Sequence, residues 1–204
     1  MRVAVPFELP RLFCLLSSDD DFNLLPALAE AGVDGFQVRD KKATTRELIA
    51  LTTRVRSLVG DACVMVDDRI DVALAAGADG VHLGADDLPV EVARRLAPEL
   101  IIGATCRSGT ALAAACSAGA DYAGFGPVHA TTSKVGLPAP LGLDALSAAA
   151  EAEPTLPLIA IGGIDAVSAV AARAAGAHGV AVIGSIWRDP DPVKAAKELV
   201  AAVA

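Results

Sequence analysis

The sequence predicts a single-domain α/β protein folded as a (β/α)₈ barrel, the TIM-barrel architecture. Its 204 residues are 53% hydrophobic and 21% charged without a break in composition, so they can form one sizeable core. Eight apolar runs of strand length alternate with Ala- and Leu-rich runs of helical length. A motif in which a helical run ends near Gly and an apolar strand follows recurs at 31–35, 76–80, 118–122 and 175–179. We expect an N-terminal extension over residues 1–10 and the barrel over 11–204.

The predicted strands are short apolar runs bounded by Gly or polar residues. Runs that are apolar throughout are typical of parallel strands covered on both faces. In chain order we expect strands at 12–16, 36–39, 63–66, 81–83, 101–104, 122–125, 158–161 and 180–183.

The predicted helices are rich in Ala and Leu, which lets them pack closely on the strands. We expect them at 45–59, 70–76, 90–97, 111–118, 143–152, 166–175 and 192–202, among others. A doubly wound open sheet is the alternative architecture. The recurring motif precedes every second strand, which favours an even-numbered closed ring over an open sheet.

The charge balance excludes some partners. The chain carries 17 Lys and Arg against 25 Asp and Glu, a net charge of −8. This argues against nucleic-acid and acidic-membrane partners, because both attract basic surfaces. Pro6, Glu8 and Pro10 interrupt the early apolar residues, so we expect no signal-peptide core. The four cysteines lack CxxC spacing, which favours free thiols and a cytoplasmic location. A homo-oligomer is compatible with the sequence.

The second strand and the residues after it carry polar side chains on one face. Because strand residues alternate faces, Gln37, Arg39 and Lys41 should point together, while Phe36 and Val38 point the other way. Two cations that face the interior need an anion, since an unpaired buried charge is costly. Either protein carboxylates or an anionic ligand can supply it, and we favour a phosphate ligand.

Two carboxylates follow the next two strands. Asp68 and Asp87 provide hard oxygen ligands on neighbouring loops. A Mg²⁺ ion held by one or two carboxylates together with substrate phosphates is a common arrangement. In the alternative interpretation, Asp68 only caps the helix that starts near Ile70, and Asp86 or Asp87 only caps the helix after Pro89.

The longest predicted loop follows strand 6. Thr131, Thr132 and Ser133 supply hydroxyl groups there, and Lys134 supplies a positive charge. This set suits an anionic group, and long loops in compact domains are often functional. An idle loop without function is the alternative.

Small residues follow the last two strands. Gly162 and Gly163 come after strand 7, and Gly184 and Ser185 come after strand 8. They leave backbone N–H groups accessible, and the loops after strands 7 and 8 are the recurrent phosphate site of this fold. In the alternative, the glycines only permit tight turns.

Two anion sites are therefore predicted at the end of the barrel where loops build the active site. The site at strands 7 and 8 suits a monophosphate. The other combines Arg39, Lys41 and Lys134 with Mg²⁺ on Asp68 and Asp87. It suits a diphosphate, because a metal and several cations stabilise such a leaving group. The sequence thus predicts a transferase that joins a phosphorylated acceptor to a diphosphate-activated donor.

Five motifs, in order along the chain, resemble those of the thiamine phosphate synthase family. They are Gln37-x-Arg39-x-Lys41, Asp68-Arg69, His82-Leu83-Gly84-x-x-Asp87, the segment from Gly126-Pro127 to Thr131-x-Ser133-Lys134, and Ile161-Gly162-Gly163-Ile164. The resemblance covers about residues 12–192. It implies coupling of hydroxymethylpyrimidine diphosphate to a thiazole phosphate, with Mg²⁺ as cofactor and pyrophosphate as second product. The implied reaction is dissociative: diphosphate leaves, a pyrimidine cation forms, and the thiazole nitrogen attacks it without a general base.

The resemblance also implies residue roles. The catalytic cations would be Arg39, Lys41 and Lys134, and the Mg²⁺ ligands would be Asp68 and Asp87. The substrate-binding residues would be Gln37 and Thr105 for the donor, and Thr131, Thr132, Ser133, Gly163, Ile183 and Gly184 for the acceptor.

Three positions depart from the family pattern. Asp67 stands where the family has Asn, and Ala85 stands where it has Gln. After strand 5 this chain has Arg107 where the family has His. Asp67 adds negative charge beside the proposed diphosphate, and our hypothesis is that Arg107 offsets it.

Two alternative functions share the barrel. A thiazole tautomerase-like isomerase would keep the thiazole-phosphate site without a complete diphosphate and metal set. The synthase is therefore favoured by the presence of Lys41, Asp68, Asp87 and Lys134. A non-catalytic barrel that binds phosphorylated thiamine precursors is the other alternative, supported by Asp67 and Ala85.

Overall fold

Eight parallel strands follow one another around a closed barrel, and the last strand pairs with the first. The computed structural model describes residues 8–132 and 138–204. The strands are β1 Leu12–Leu16, β2 Gly35–Val38, β3 Cys63–Asp67, β4 Gly80–Leu83, β5 Ile101–Cys106, β6 Tyr122–Phe125, β7 Leu158–Ile161 and β8 Gly179–Val182. Leu12 lies opposite Val180 across the closing pair. This pairing confirms the predicted barrel and excludes the open sheet.

Helices cover the outside of the barrel. They are α1 Leu25–Glu30, α2 Thr45–Leu58, α3 Ile70–Ala76, α4 Val90–Leu96, α5 Gly109–Ala118, α6 Gly142–Ala152, α7 Ala166–Ala174, α8 Gly184–Trp187 and α9 Pro192–Val203, with a 3₁₀ turn at Phe22–Leu24. In the described ranges, none of these helices combines the length and the apolar character that crossing a membrane requires.

The strand bounds differ from the prediction by at most two residues, but some differences matter for the site. β2 ends at Val38, so Arg39 lies just beyond the strand. β3 includes Asp67, and β5 extends to Cys106, which places Thr105 inside the strand. The short helix α8 was not predicted.

Polar caps fix the start of two long helices. Thr44 and Glu47 form a capping box at α2, and Asp165 and Ser168 form one at α7. In each, a side-chain oxygen accepts a bond from a backbone N–H that the first helical turn leaves unpaired. The loops before these helices, after β2 and β7, are thereby held at the C-terminal end of the barrel.

Alternation along the strands produces two apolar layers. Phe13 and Tyr122 belong to the layer inside the barrel, with their rings stacked at 5.7 Å. Leu12 and Leu16 belong to the layer between the strands and the helices. The inside of the barrel becomes polar toward its C-terminal end, where the buried polar side chains include Gln37, Asp67 and His82.

The recurring helix-to-strand motif has a structural role at the N-terminal end of the barrel. In three copies, the Asp accepts a hydrogen bond from a backbone N–H at the start of the preceding strand. The pairs are Asp34 with Leu12 (2.9 Å), Asp79 with Val64 (2.8 Å) and Asp121 with Ile102 (2.8 Å). We call these contacts the carboxylate latches. In the fourth copy His178 stands in place of Asp, and its Nε2 donates to the Leu9 carbonyl (2.8 Å).

Candidate active site

A cavity of about 570 Å³ opens at the C-terminal end of the barrel. The predicted substrate-binding residues that line it are Gln37, Thr105, Thr131, Thr132, Gly163, Ile183 and Gly184. Ser133 and Lys134 lie outside the described residues. A wider groove of about 730 Å³ lies at the opposite end, around Arg11, Asp34 and Cys63. No described residue of the predicted site lines that groove, so we place the candidate active site at the C-terminal end.

Gln37 points into the barrel and is buried, as strand alternation predicts. Its side-chain amide donates to the carboxylate of Asp67, at the end of the adjacent strand β3. The same carboxylate pairs with Arg39, with 3.3 Å between Nε and Oδ2. A protein carboxylate therefore meets the first of the two cations that the sequence singled out.

The environment of Asp67 differs from the sequence-based hypothesis. Its side chain is 3% exposed and that of Arg39 is 24% exposed, so the ion pair is largely shielded from water. Arg107, expected to offset Asp67, donates instead to the carbonyls of Gly126 (2.8 Å) and Ala139 (3.0 Å). Arg39 takes the role assigned to Arg107, because the end of β2 lies directly beside the end of β3.

The second cation, Lys41, pairs with Asp68. Asp68 continues the strand ladder, since its backbone N–H donates to the His82 carbonyl (2.8 Å). Its φ of 66° is the one positive φ of a non-glycine residue in the described ranges. This left-handed conformation costs roughly 1–2 kcal/mol for most residues. Backbone strain of this kind clusters at functional sites.

The carboxyl groups of Asp68 and Asp87 interact, and their pKa values move in opposite directions. Burial raises the pKa of Asp87, and the hydrogen bond and charge of Asp68 raise it further. Burial also acts to raise the pKa of Asp68, but hydrogen bonds from Lys41 and Asp87, together with the charge of Lys41, outweigh it. The pKa of Asp68 therefore lies below its ordinary value of 3.8.

The capping interpretation of these two carboxylates is wrong. The helices α3 and α4, both fully described, begin without a side-chain cap. Asp87 instead accepts a hydrogen bond from Gly84 N within its own loop (2.7 Å). In the described part of the chain, no group of three or more Asp, Glu, His or Cys side chains could hold a metal alone. A Mg²⁺ ion on Asp68 and Asp87 would therefore need further oxygens from water and from substrate phosphates, as Mg²⁺ commonly has.

His82 forms part of a buried network in the cavity floor. Its Nδ1 lies 3.0 Å from the Tyr122 hydroxyl, and its Nε2 lies 2.9 Å from Thr105 Oγ1. Burial raises the pKa of Tyr122, so the phenol stays protonated. Both ring nitrogens of His82 are thus engaged by hydroxyl groups, which fixes Thr105 in the cavity wall.

The loops after β6 and β7 pack against each other. Val128 N donates to Ile161 O (2.8 Å), and His129 N donates to Gly162 O (3.0 Å). Gly162 and Gly163 have φ values of 89° and 67°. A Cβ on Gly162 would lie 2.5 Å from Pro127, and one on Gly163 would collide with the Ala130 carbonyl. Glycine is required here both by backbone conformation and by close approach.

Arg188 lines the cavity and was missed in the sequence analysis. It follows α8, and its Nη1 donates to Thr132 Oγ1 (2.9 Å). Its side chain lies against Gly184, where an added Cβ would be 3.3 Å from the Arg188 Cδ. Arg188 thus connects the loop after β6 with the loop after β8. The feature of the sequence that could have identified Arg188 is its position four residues after Gly184, a glycine of the predicted phosphate loop.

Comparison with known proteins gives concordant matches. A family model described as thiamine monophosphate synthase matches residues 13–186. The chain is 43% identical over 202 residues to a thiamine biosynthesis bifunctional protein of Symbiobacterium thermophilum, covering 97% of this chain and 42% of that protein. It is 44% identical over 186 residues to the thiamine-phosphate synthase of Natronomonas pharaonis, covering 89% and 86%. The chain therefore spans less than half of the bifunctional relative and most of the other.

Two solved structures superpose on almost the whole of this chain. The thiamine phosphate pyrophosphorylase from Pyrococcus furiosus superposes with a TM-score of 0.85 at 37% identity, covering 95% of both chains. A 3-hexulose-6-phosphate synthase superposes with a TM-score of 0.75 at 25% identity, covering 95% of this chain and all of that one.

Proposed function

Because this chain belongs to the thiamine monophosphate synthase family, we propose that it couples hydroxymethylpyrimidine diphosphate to a thiazole phosphate and releases pyrophosphate. Its family makes it a transferase of thiamine biosynthesis. The observation that supports the proposal is that two different groups of residues suited to anions lie at one end of the barrel. A cluster of cations and carboxylates follows β2 to β4, beside a cavity walled by the glycine-rich loops after β6 to β8.

The diphosphate would bind at the first of these sites. Arg39 and Lys41 are held there by Asp67 and Asp68. The Lys41 side chain is 58% exposed, so it can turn from Asp68 to a ligand at little cost. Charge-assisted bonds to diphosphate oxygens are stronger than those between neutral groups. Lys134, outside the described residues, would complete this set of cations.

Asp68 and Asp87 fit a role as Mg²⁺ ligands. Two carboxyl groups in contact repel each other when both are ionised, and this repulsion adds to burial and to the hydrogen bond with Asp68 in raising the pKa of Asp87. A divalent cation between them would remove that repulsion. The bound ion would neutralise charge on the departing diphosphate.

The acceptor would bind in the cavity, with its phosphate near Gly163, Ile183 and Gly184. Thr131 and Thr132 would contribute hydroxyl groups from the loop after β6. Thr105, held by His82, would face the pyrimidine from the cavity wall. Both substrates would then meet above the polar end of the barrel interior.

The proposed reaction needs no proton transfer by a side chain. The C–O bond to the diphosphate breaks and its electron pair leaves with the diphosphate. The resulting pyrimidine cation accepts the lone pair of the thiazole nitrogen, which forms the new C–N bond. The residues of this chain contribute charge stabilisation and alignment, the two effects that supply most of the rate in such transfers. The engagement of both His82 nitrogens by hydroxyl groups agrees with a mechanism that uses no histidine base.

A pyrophosphate-release assay with both substrates and Mg²⁺ tests this function. The parent protein should release pyrophosphate only when both substrates and the metal are present. The Asp68→Ala, Asp87→Ala and Lys134→Ala variants should lose most of this activity, whereas Asp86→Ala, a neighbouring exposed carboxylate, should retain it. No turnover by the parent protein under these conditions would rule the proposal out.

The same assay separates the synthase from the two alternatives, neither of which would release pyrophosphate, and following the thiazole phosphate separates the alternatives from each other. A thiazole tautomerase-like isomerase would interconvert thiazole phosphate isomers without consuming the diphosphate. A non-catalytic barrel would bind the thiazole phosphate and convert neither substrate. The ion pairs on Arg39 and Lys41 favour the synthase over both, because they keep a diphosphate-binding set of cations in place.

The proposal includes a cytoplasmic location, where both phosphorylated substrates would be available. All four cysteines are free thiols, and three of them are buried, as a reducing compartment would allow. Cell fractionation with a tagged chain would test it. Homo-oligomerisation and the lack of a nucleic-acid partner remain predictions from the sequence.

A further inference from the structure

We propose that Arg188 binds the phosphate group of the acceptor and makes the cavity select phosphorylated over unphosphorylated acceptors. This inference rests on the proposed function, because it takes the thiazole phosphate as the ligand of the cavity. It assigns to the site a charged residue that the family resemblance did not supply.

The position of Arg188 is defined by contacts on two sides. Its guanidinium donates to Thr132 from the loop after β6, at 2.9 Å. Its aliphatic carbons and Nε lie against Gly184, in the loop after β8. Thr132 and Gly184 both belong to the set expected to hold the acceptor phosphate. The guanidinium therefore lies between two parts of the predicted phosphate site and lines the same cavity.

The charge of the site provides the second argument. The residues expected to hold the acceptor phosphate offer hydroxyl and backbone N–H groups, and none of them is cationic. A phosphate dianion is bound most tightly where a cation accompanies such donors. Two guanidinium groups line the cavity in the described ranges, those of Arg107 and Arg188. Arg107 already donates from both terminal nitrogens to backbone carbonyls.

Arg188 differs from the other cations of the site in its partners. Arg39 and Lys41 are each paired with a carboxylate. Arg188 forms no ion pair with a carboxylate in the described ranges, and Thr132 accepts from only one of its five N–H donors. In a chain with a net charge of −8, such an arginine is a favourable place for an anion. The family match ends at residue 186, two positions before it.

The test uses three variants. Arg188→Gln keeps a donor for Thr132 but removes the charge, and Arg188→Lys keeps the charge but loses the planar fork. Arg95→Ala is the control, because Arg95 is an exposed arginine on α4 outside the cavity and its loss changes the net charge equally. Steady-state kinetics are measured with the thiazole phosphate and with the thiazole alcohol. Calorimetry measures binding of the thiazole phosphate without turnover.

In Arg188→Gln, we expect KM for the thiazole phosphate to rise about 10- to 100-fold, the range for losing a charged hydrogen bond. The values of kcat and of KM for the diphosphate donor should stay within about threefold of the parent. The preference in kcat/KM for the phosphate over the alcohol should fall by a similar factor, and Arg188→Lys should be intermediate.

Other outcomes would overturn the inference or separate it from the proposed function. It is overturned if Arg188→Gln behaves like Arg95→Ala, if kcat and both KM values change together as in a general structural defect, or if the parent binds no thiazole phosphate. If the parent binds thiazole phosphate through Arg188 but releases no pyrophosphate, the inference is supported and the proposed function is not.

Discussion

Replacing Asp67 by Asn removes one charge from the Arg39–Asp67 ion pair while keeping the size of the side chain. The Asp67 side chain is 3% exposed, so the guanidinium of Arg39 would face a neutral amide in a poorly hydrated position. Breaking a buried ion pair by removing one partner costs about 3–5 kcal/mol. Arg39 is 24% exposed and keeps some contact with water, and the Asn oxygen can still accept from Gln37. We therefore expect a loss of about 1–3 kcal/mol in the free energy of unfolding.

This loss should be visible in thermal unfolding. For a domain of this size, 1 kcal/mol corresponds to about 2–4 °C in the melting temperature. The Asp67→Asn variant should therefore melt roughly 2–12 °C below the parent. Asp61→Asn, an exposed carboxylate at the other end of the barrel, is the control and should change the melting temperature little.

The Asp67→Asn variant should bind pyrophosphate more tightly, although it is less stable. With Asp67 neutral, Arg39 no longer divides its charge between a carboxylate and the diphosphate. Pyrophosphate with Mg²⁺ should then bind a few-fold to about tenfold more tightly to Asp67→Asn than to the parent. A double-mutant cycle with Arg39→Gln should give a coupling energy of about 1 kcal/mol or more. Equal melting temperatures and equal pyrophosphate affinities for parent and variant would show that the pair contributes to neither property.

Three further predictions concern the loop, the metal and the opposite end of the barrel. Arg107→Ala removes the hydrogen bonds to Gly126 and Ala139, on either side of the long loop, so KM for the thiazole phosphate should rise about three- to tenfold while the Arg95→Ala control stays unchanged. The effects of Asp67→Asn and Arg107→His should add. A coupling energy above 0.5 kcal/mol, roughly the limit for independent sites, would contradict separate roles for the two residues. Because the pKa of Asp87 is raised in the folded protein, its ionisation makes the metal-free fold less stable as pH rises through that pKa, and Mg²⁺ must displace its proton. The rise in melting temperature that Mg²⁺ causes should therefore be small at pH 4 and larger at pH 7. A rise that does not depend on pH, or one that Asp87→Asn retains, would argue against a Mg²⁺ site at Asp87. Asp34→Ala removes the acceptor for Arg11 N and Leu12 N and should lower the free energy of unfolding by about 1–3 kcal/mol. Asp34→Asn should lower the free energy of unfolding by about half as much, and kcat at 25 °C should not change in either variant. An altered KM would mean that a change at this end of the barrel affects the cavity.

The sequence was most informative where local chemistry determines structure. The recurring motif and the apolar strand pattern predicted the closed barrel, because each strand is short and the motif marks the helix end before every second strand. The positions of Gln37, Asp68 and Asp87 followed from the rule that strand ends build the site. The capping alternative had to be abandoned, since helix starts depend on local geometry that the sequence describes poorly.

The partners of charged residues were harder to predict. Asp67 lies one residue after the predicted end of strand 3, so its pairing with Arg39 depended on strand register and strand length. Arg188 acts from beyond an unpredicted four-residue helix, and its link to Thr132 joins residues 56 positions apart in the chain. Such long-range contacts leave no periodic signal in the sequence.

The carboxylate latches divide the barrel into modules. Asp34, Asp79 and Asp121 each join an even-numbered strand to the odd-numbered strand before it, at the end farthest from the cavity. The alignment of each strand pair is thereby secured independently of the loops that carry the chemistry. Substitutions at the strand ends and in those loops, such as Asp67 at the end of β3 and Ala85 and Arg107 in the loops, can then accumulate without shifting a strand by one residue and turning its side chains to the wrong face. In a barrel built this way, the residues that maintain the fold lie at one end and the residues that determine the reaction lie at the other, so the second set can change while the first is kept.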